Sequence, residues 1–337
     1  MRYLTISEFG SFLGLSGAKL IVKDKNGNQW QTPLSRLRSI RIEKKGVSLS
    51  SDLLLSCASR GIRLYFCDWK GCSVATVQGD NQKGIVSIRQ HQFEFCDSIK
   101  CVSLAVEIIK TKIKNQRAVL LYFGKYLKKS DLSLWELCSS SVSKLEQILS
   151  NVCEATIIER VELYRAEWQS VLLGIEGTCA NIYWNTLINC HLLPKSFKLR
   201  EGRGSTELTN AALNYGYSIL ESYVWSALDN TGLEIFKGIF HKNHPGRASL
   251  VMDFMEEYRA WVVDRNIIKL RFQLADAVQL DSNLKRAISE SINDTMASKI
   301  NWHGKNLKLE NIMQRQAYKF AGCIIGETKY KGYKFKW

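Results

Sequence analysis

Two acidic residues three apart, Asp253 and Glu256, lie in FKGIFHKNHPGRASLVMDFMEEYR (residues 236–259), a stretch that also carries His241 and His244. Ser249 suits a helix start and SLVMDFMEEYRAWVV has helical length, so the spacing predicts one helix face holding both carboxylates. Leu250, Phe254 and Trp261 supply the apolar side of that helix. Acids beside a core need a partner, and a divalent cation bound through oxygen is a good one. A solvated helix face is the other reading of a DxxE pair, and the spacing alone leaves both open.

The elements that must hold these groups differ between the two ends of the chain. In the first eighty-odd residues, GAKLIVKDKNGNQWQTP alternates across an Asn26-Gly27 turn, SIRIEKKGVSLS pairs Ile40 and Ile42 with Val47 and Leu49, and GIRLYFCDWKGCSVATVQG forms a third hairpin. Between the last two, DLLLSCASRG is a short helix closed by Gly61. From about Ile85 the pattern turns helical: Leu104, Ile108, Ile109, Ile113 and Leu120 recur near helical spacing, with Lys110, Lys112, Lys114 and Arg117 mainly on other faces. Further on, LLGIEGTCANIYW sets Glu176 among Leu173, Ile175, Ala180 and Tyr183, the surroundings of a buried acid. The expected class is α+β. A small β domain (residues 1–84) with ladder edges suited to pairing with another chain precedes a larger all-helical domain (residues 85–337) carrying the acids.

Composition narrows the chemistry. The 337 residues are 45% hydrophobic with only 3 prolines, as expected of an ordered, mostly helical protein. Lys and Arg number 47 against 32 Asp and Glu, and the formal charge of +15 implies attraction to a polyanion, whether nucleic acid, ribosome or anionic membrane surface. No apolar run approaches the roughly 18 residues of a membrane span. The opening MRYLTISEFG lacks a secretory apolar segment, so a soluble, cytoplasmic protein with no membrane partner is expected. The 10 cysteines include no CxxC, and Cys67 and Cys72 flank DWKG as strand residues facing each other across a turn. Cys96 and Cys101 share that spacing, which is not a usual short metal-ligand one, and reduced thiols are expected throughout.

The order EGTCANIYW, GRGSTELTNAALNYGYSIL, GIFHKNHPGRASLVMDFMEEYR and QRQAYKFAG, preceded by KTKIKNQR and a strand-rich start, resembles CRISPR-associated protein one, the endonuclease and integrase of spacer acquisition. The resemblance covers nearly the whole chain. It implies an N-terminal β domain and a helical domain bearing a Mg²⁺ or Mn²⁺ site with catalytic ligands at Glu176, His241 and Glu256. Asp253 matches an acid that acts on the metal indirectly, through water or a hydrogen bond. His244 competes with His241, but the family's histidine aligns with the one before the turn. The sequence departs from the family's Asp-Pro-x-Asn at Glu207, Leu208, Thr209 and Asn210, a change that concerns a loop path. The resemblance also implies a homodimer and a bridging partner, CRISPR-associated protein two.

The implied reaction is attack of a DNA 3′-hydroxyl on a phosphodiester, and the same site cuts DNA if water takes the hydroxyl's place. Arg200, Arg203, Lys242 and Arg247 lie near the implied ligands in sequence and are candidate contacts to the phosphates of double-stranded DNA, while Arg259 is equally suited to pairing with a helix acid. The tail KYKGYKFKW interleaves Lys329, Lys331, Lys334 and Lys336 with aromatic residues, fit either for phosphate contact with base stacking or for packing back on the domain. Two other functions share these features: a non-catalytic DNA-holding subunit and a repair nuclease for branched DNA.

Overall fold

Buried positions alternate in β1 (Tyr3–Ile6) and β3 (Lys19–Lys23), so each has one side to bury, while β2 (Phe12–Ser16) turns Leu13 inward and β4 (Gln29–Pro33) is an edge strand with Trp30 exposed. A computed structural model of the chain describes residues 3–68, 71, 73–77, 79, 85–164, 167–202 and 204–336. It divides into two compact units, Met1–Lys83 and Gly84–Trp337. The first continues through β5 (Ser39–Ile42), β6 (Ser48–Leu49), helix α1 (Ser51–Ser59), β7 (Arg63–Cys67) and β8 (Ser73–Val77). Its strands form two four-stranded sheets, ordered β4-β3-β2-β6 and β1-β5-β7-β8. Leu13, Leu20, Leu34, Ile40, Leu53, Cys57 and Leu64, all at 0% exposure, join both sheets and α1 in one core.

The Asn26-Gly27 hairpin forms as expected, with Gly27 at φ +85 and the Asp24 carboxylate accepting from the Asn26 and Asn28 amides at 2.8 Å. The expected pairing of Ile40 and Ile42 with Val47 and Leu49 does not form. Every residue of β5 is buried, so it needs a strand on each side, and it runs parallel to β1 and β7. β6 instead joins β2, placing Leu49 opposite Leu13. In the β7–β8 hairpin Cys67 faces Ser73 beside a bulge, while Cys72 lies outside the described residues. The described cysteines are free thiols.

The second unit comprises α2 (Ile85–Cys96), α3 (Lys100–Ser130), α4 (Leu132–Asn151), α5 (Glu154–Tyr164), α6 (Trp168–Asn189), α7 (Leu208–Asp229) and α8 (Ser249–Met255). A π-helical turn, Arg259–Asp264, leads to α9 (Arg265–Lys269), α10 (Arg271–Asp276), α11 (Ser282–Ala297) and α12 (Leu309–Ile324). A hairpin of β9 (Lys299–Trp302) and β10 (Lys305–Lys308) interrupts the helices. Among the described residues no helix is long and apolar enough to cross a membrane. The loop that departs from the family pattern caps α7: the Glu207 carboxylate accepts from the Thr209 amide at 3.0 Å and the Asn210 amide at 2.7 Å.

The helix expected from Ser249 onward breaks after Met255. Amides of Glu256 and Tyr258 bond back three residues, to Asp253 at 3.3 Å and Met255 at 2.9 Å, before the wider π turn begins. The tail resolves its two sequence readings by alternation: Tyr330 and Phe335 are buried, and Lys329, Lys331, Lys334 and Lys336 are exposed. Asn115 of α3 pins it, donating to the Glu257 carbonyl at 2.7 Å and the Tyr333 carbonyl at 2.8 Å while accepting from the Phe335 amide at 3.0 Å. Gly332 donates to Glu107 at 3.1 Å, and a Cβ there would overlap the Thr111 hydroxyl. Asn115→Ala leaves buried carbonyls and an amide without partners. It is expected to cost about 3 kcal/mol, read as a lowered thermal midpoint with proteolysis beginning in the tail. An unchanged midpoint with a protease-resistant tail would show that packing alone holds it.

Candidate active site

The loop before α8 is wound around one carboxylate. Asp253, at 0% exposure, accepts through Oδ2 from the amides of Ile239 (2.6 Å) and Phe240 (3.1 Å). Its Oδ1 accepts from the His241 amide at 3.0 Å and from His241 Nδ1 at 2.6 Å. A carboxylate accepting at Nδ1 assigns the ring proton to that nitrogen and leaves Nε2 with the lone pair that would bind a cation. The loop approaches closely at Gly238, where a Cβ would lie 2.8 Å from the Ser249 Cβ and 3.1 Å from Asp253 Oδ2. Burial works against a charged imidazole at His241. The bond to Asp253 and the charges of Asp253, Glu256 and Glu176 outweigh it and raise the pKa above the usual histidine value. His244 is exposed in the turn beyond.

Glu176 on α6 and Glu256 at the end of α8 meet on a single cation supplied by the chain. Lys112 Nζ, from α3, pairs with Glu176 Oε1 and lies 2.8 Å from Glu256 Oε2. Glu256 is 3% exposed, and its other oxygen lies 3.2 Å from Arg259 Nε. Burial opposes the Glu256 charge, yet Arg259, Lys112 and His241 prevail and hold its pKa at about 2. The Lys112 ammonium is pulled down by burial and lifted further by Glu256 and Glu176, ending above the usual lysine value. Arg259 also lies 5.0 Å from the centre of the Tyr217 ring, whose hydroxyl donates to Asp264. Tyr183, about two turns along α6 from Glu176, donates to the same carboxylate at 3.1 Å.

Glu176, His241 and Glu256 therefore share one charge environment, but among the described residues no three acidic, histidine or cysteine side chains converge ready-made on a cation position. The donor set still fits a divalent cation. A cation already sits between the two carboxylates, and Glu256 Oε2 is buried without a well-aligned hydrogen bond. Sequence reasoning missed the inward role of Lys112, which it grouped with Lys110, Lys114 and Arg117 on faces away from the apolar stripe; its signal is its place between Ile109 and Ile113, both at 0% exposure.

The structure distributes the remaining candidates. Arg200 is tied to Asn210 at 3.1 Å and Asn214 at 2.7 Å, and lies over Tyr217 at 5.3 Å. Lys242 pairs with Glu167 at 2.6 Å on the surface, Arg247 is exposed, and Arg203 lies outside the described residues. A groove of about 1110 Å³, lined by none of Glu176, His241, Asp253 or Glu256, carries Arg265, Lys269, Lys319, Lys331, Lys334 and Lys336 with Asp294, Trp302 and Tyr333 among them.

A β unit of two sheets, followed by helices that gather acids from α6 and α8 around a buried cation, defines the class. The family described as CRISPR associated protein Cas1 matches residues 4–279, and the chain belongs to it. The chain is 42% identical over 337 residues to a CRISPR-associated endonuclease Cas1 of Francisella tularensis subsp. novicida, with 100% of both chains covered. Its fold is similar to that of a casposase bound to integration product (TM-score 0.79, 20% identity, 100% of this chain and 95% of that chain). It is also similar to a chain of a Cas6-RT-Cas1–Cas2 complex (TM-score 0.74, 20% identity, 99% of this chain and 36% of that chain).

Asp264 gives the site a pH signature. Burial lifts its carboxyl from 3.8 to about 6 against the hydrogen bonds from Tyr217 and Tyr183. The folded form thus binds its proton more tightly than the unfolded form. The associated stability is complete below pH 3.8 and disappears as pH rises through about 6. The loss amounts to up to about 3 kcal/mol. Asp264→Asn should flatten this part of the stability–pH curve between pH 4 and 7; denaturant midpoints that fall as steeply in the variant would remove Asp264 as the cause.

Proposed function

We propose that this chain is a divalent-metal-dependent DNA endonuclease and integrase of CRISPR spacer acquisition. The observation that carries the reading is the convergence of Glu176 and Glu256 on one cation beside an imidazole oriented by a buried carboxylate. Glu176, Glu256 and His241 Nε2 would hold Mg²⁺ or Mn²⁺, with imidazole favouring tolerance of Mn²⁺. When bound, the cation supplies positive charge for the phosphodiester oxygens that gain negative charge during the displacement.

The chain's own groups supply binding, orientation and charge. Asp253 fixes His241 by accepting at Nδ1, and Arg259 keeps the second Glu256 oxygen paired. In strand transfer the 3′-hydroxyl oxygen bonds to phosphorus, the bond to the leaving 3′ oxygen breaks, and the proton lost by the attacking hydroxyl is balanced by one gained by the leaving oxygen. One phosphodiester replaces another, so no external energy source is needed.

Partners follow from the same reading. The substrate is double-stranded DNA, both the spacer precursor and the repeat array, and the work is cytoplasmic. Lys331, Lys334 and Lys336 in the basic groove are phosphate contacts, with Lys329, Arg200, Arg203, Lys242 and Arg247 as further candidates. Residues 1–84 form the dimerisation domain of a homodimer: the sheets there end on β4, β6, β1 and β8, and Phe9, Trp30, Leu55 and Val74 are exposed on that unit. A Cas2-like protein is the bridging partner, as the Cas1–Cas2 complex with a similar fold suggests.

A labelled DNA end and a repeat-containing target test the chemistry. Glu256→Ala or His241→Ala should abolish cleavage and strand transfer with the helical circular dichroism unchanged; Mn²⁺-dependent activity retained in either would overturn the ligand assignment. Binding is tested separately. Because the tail aromatics are structural, Lys331→Gln, Lys334→Gln and Lys336→Gln are combined rather than the tail deleted. The triple variant should bind duplex DNA more weakly, with a salt slope shallower by up to about 2.7, about 0.9 for each phosphate no longer neutralised. An unchanged slope would place the DNA elsewhere.

A further inference from the structure

Lys112 is held unlike the lysines of the tail and the basic groove. Its Nζ reaches inward from α3 to Glu176 Oε1 and lies 2.8 Å from Glu256 Oε2, both oxygens belonging to proposed metal ligands. The three side chains are 14%, 15% and 3% exposed, so water screens this triad little. Without the ammonium, two carboxylates from different helices would face each other with only Arg259 and His241 left to offset them, and like charges at that range repel strongly. A cation placed between the same oxygens would meet the ammonium as a like charge.

Arg259 cannot give way in the same manner. Its Nε lies 3.2 Å from Glu256 Oε1 as an ion pair, its terminal nitrogen touches Met252 Sδ at 4.0 Å, and its guanidinium lies over the Tyr217 ring, so its fork is held on several sides. Lys112 is a compact charge on a flexible stem, and its ion-pair partners among the described residues are the two carboxylates alone.

We propose that Lys112 is an internal counter-ion of the metal site, competing with the divalent cation for Glu176 and Glu256 and leaving that position when the cation binds. The inference rests on the metal-site reading above. It makes the lysine a positioning residue, which keeps the two ligands charged and together and sets the cation concentration at which the site fills. Loading then exchanges one positive partner for another, and the released ammonium moves toward solvent.

The test uses the full chain and Mn²⁺, with binding measured by calorimetry and stability by thermal unfolding in chelator and in Mn²⁺. Lys112→Met and Lys112→Gln should lower the thermal midpoint in chelator, enlarge the Mn²⁺-induced rise, and tighten the Mn²⁺ Kd by about tenfold or more, since a buried charge left uncompensated is costly. Lys112→Arg, which keeps the charge, should bind Mn²⁺ no tighter than the wild type. If the neutral variants fold only with Mn²⁺ present, while the wild type folds in chelator, the counter-ion role is supported directly. A Kd unchanged or weakened in both neutral variants overturns the proposal while leaving the metal site intact. A wild type that takes up no Mn²⁺, with Glu256→Ala indistinguishable from it, overturns the metal-site reading itself.

Discussion

Burial of the Glu256 carboxylate is the constraint on which the helical unit depends. A charge at 3% exposure is tolerated only with cations close by, and here they come from two directions, Lys112 on α3 and Arg259 one turn onward. Each is secured in turn. Arg259 rests on Tyr217 of α7, Tyr217 bonds to Asp264, Asp264 accepts from Tyr183 of α6, and α6 carries Glu176 back to Lys112. The contacts close a ring through α3, α6, α7 and the segment after α8. Their strength lies in the closure, because displacing any member unpairs a buried charge elsewhere.

The break after α8 makes that ring possible. In a continuous helix the residues after Tyr258 would keep their α-helical phase. The π turn from Arg259 to Asp264 widens the spiral and shifts the phase of the residues beyond it, and Asp264 meets two tyrosine hydroxyls. Asp253 does the corresponding work on the other side. With its four accepted bonds committed to residues 239–241, it fixes the loop and holds His241 rather than serving as a free ligand.

Local chemistry was legible in the sequence and long-range pairing was not. The Asn26-Gly27 turn, the helix closed by Gly61 and the switch to helices near Ile85 each depend on a few neighbouring residues, whereas the apolar neighbours expected to bury Glu176 do not all do so, Leu173 being 45% exposed, and its ion-pair partner is Lys112. Ile40 and Ile42 looked like half of a hairpin because a nearby apolar pair followed, but parallel partners lie far along the chain and leave no local mark. Lys112 was hidden for a related reason. On a helix buried over most of its surface, a basic residue is not a solvent residue, and its partners are 64 and 144 positions away. The tail showed its composition but not which half of it faced inward.

Glu257, the neighbour of Glu256, has a consequence for how the protein is made. Its buried carboxylate accepts from the Tyr330 hydroxyl and from the Tyr333 amide at 2.9 Å, groups synthesised 73 and 76 residues later. A nascent chain emerges in order, so α3 and Glu257 are complete while the segment that packs against them is still being made. During that interval Glu257 and Asn115 lack their tail partners and must be solvated. Glu257 and Asn115 find these partners only once residues 330–335 lie against α3.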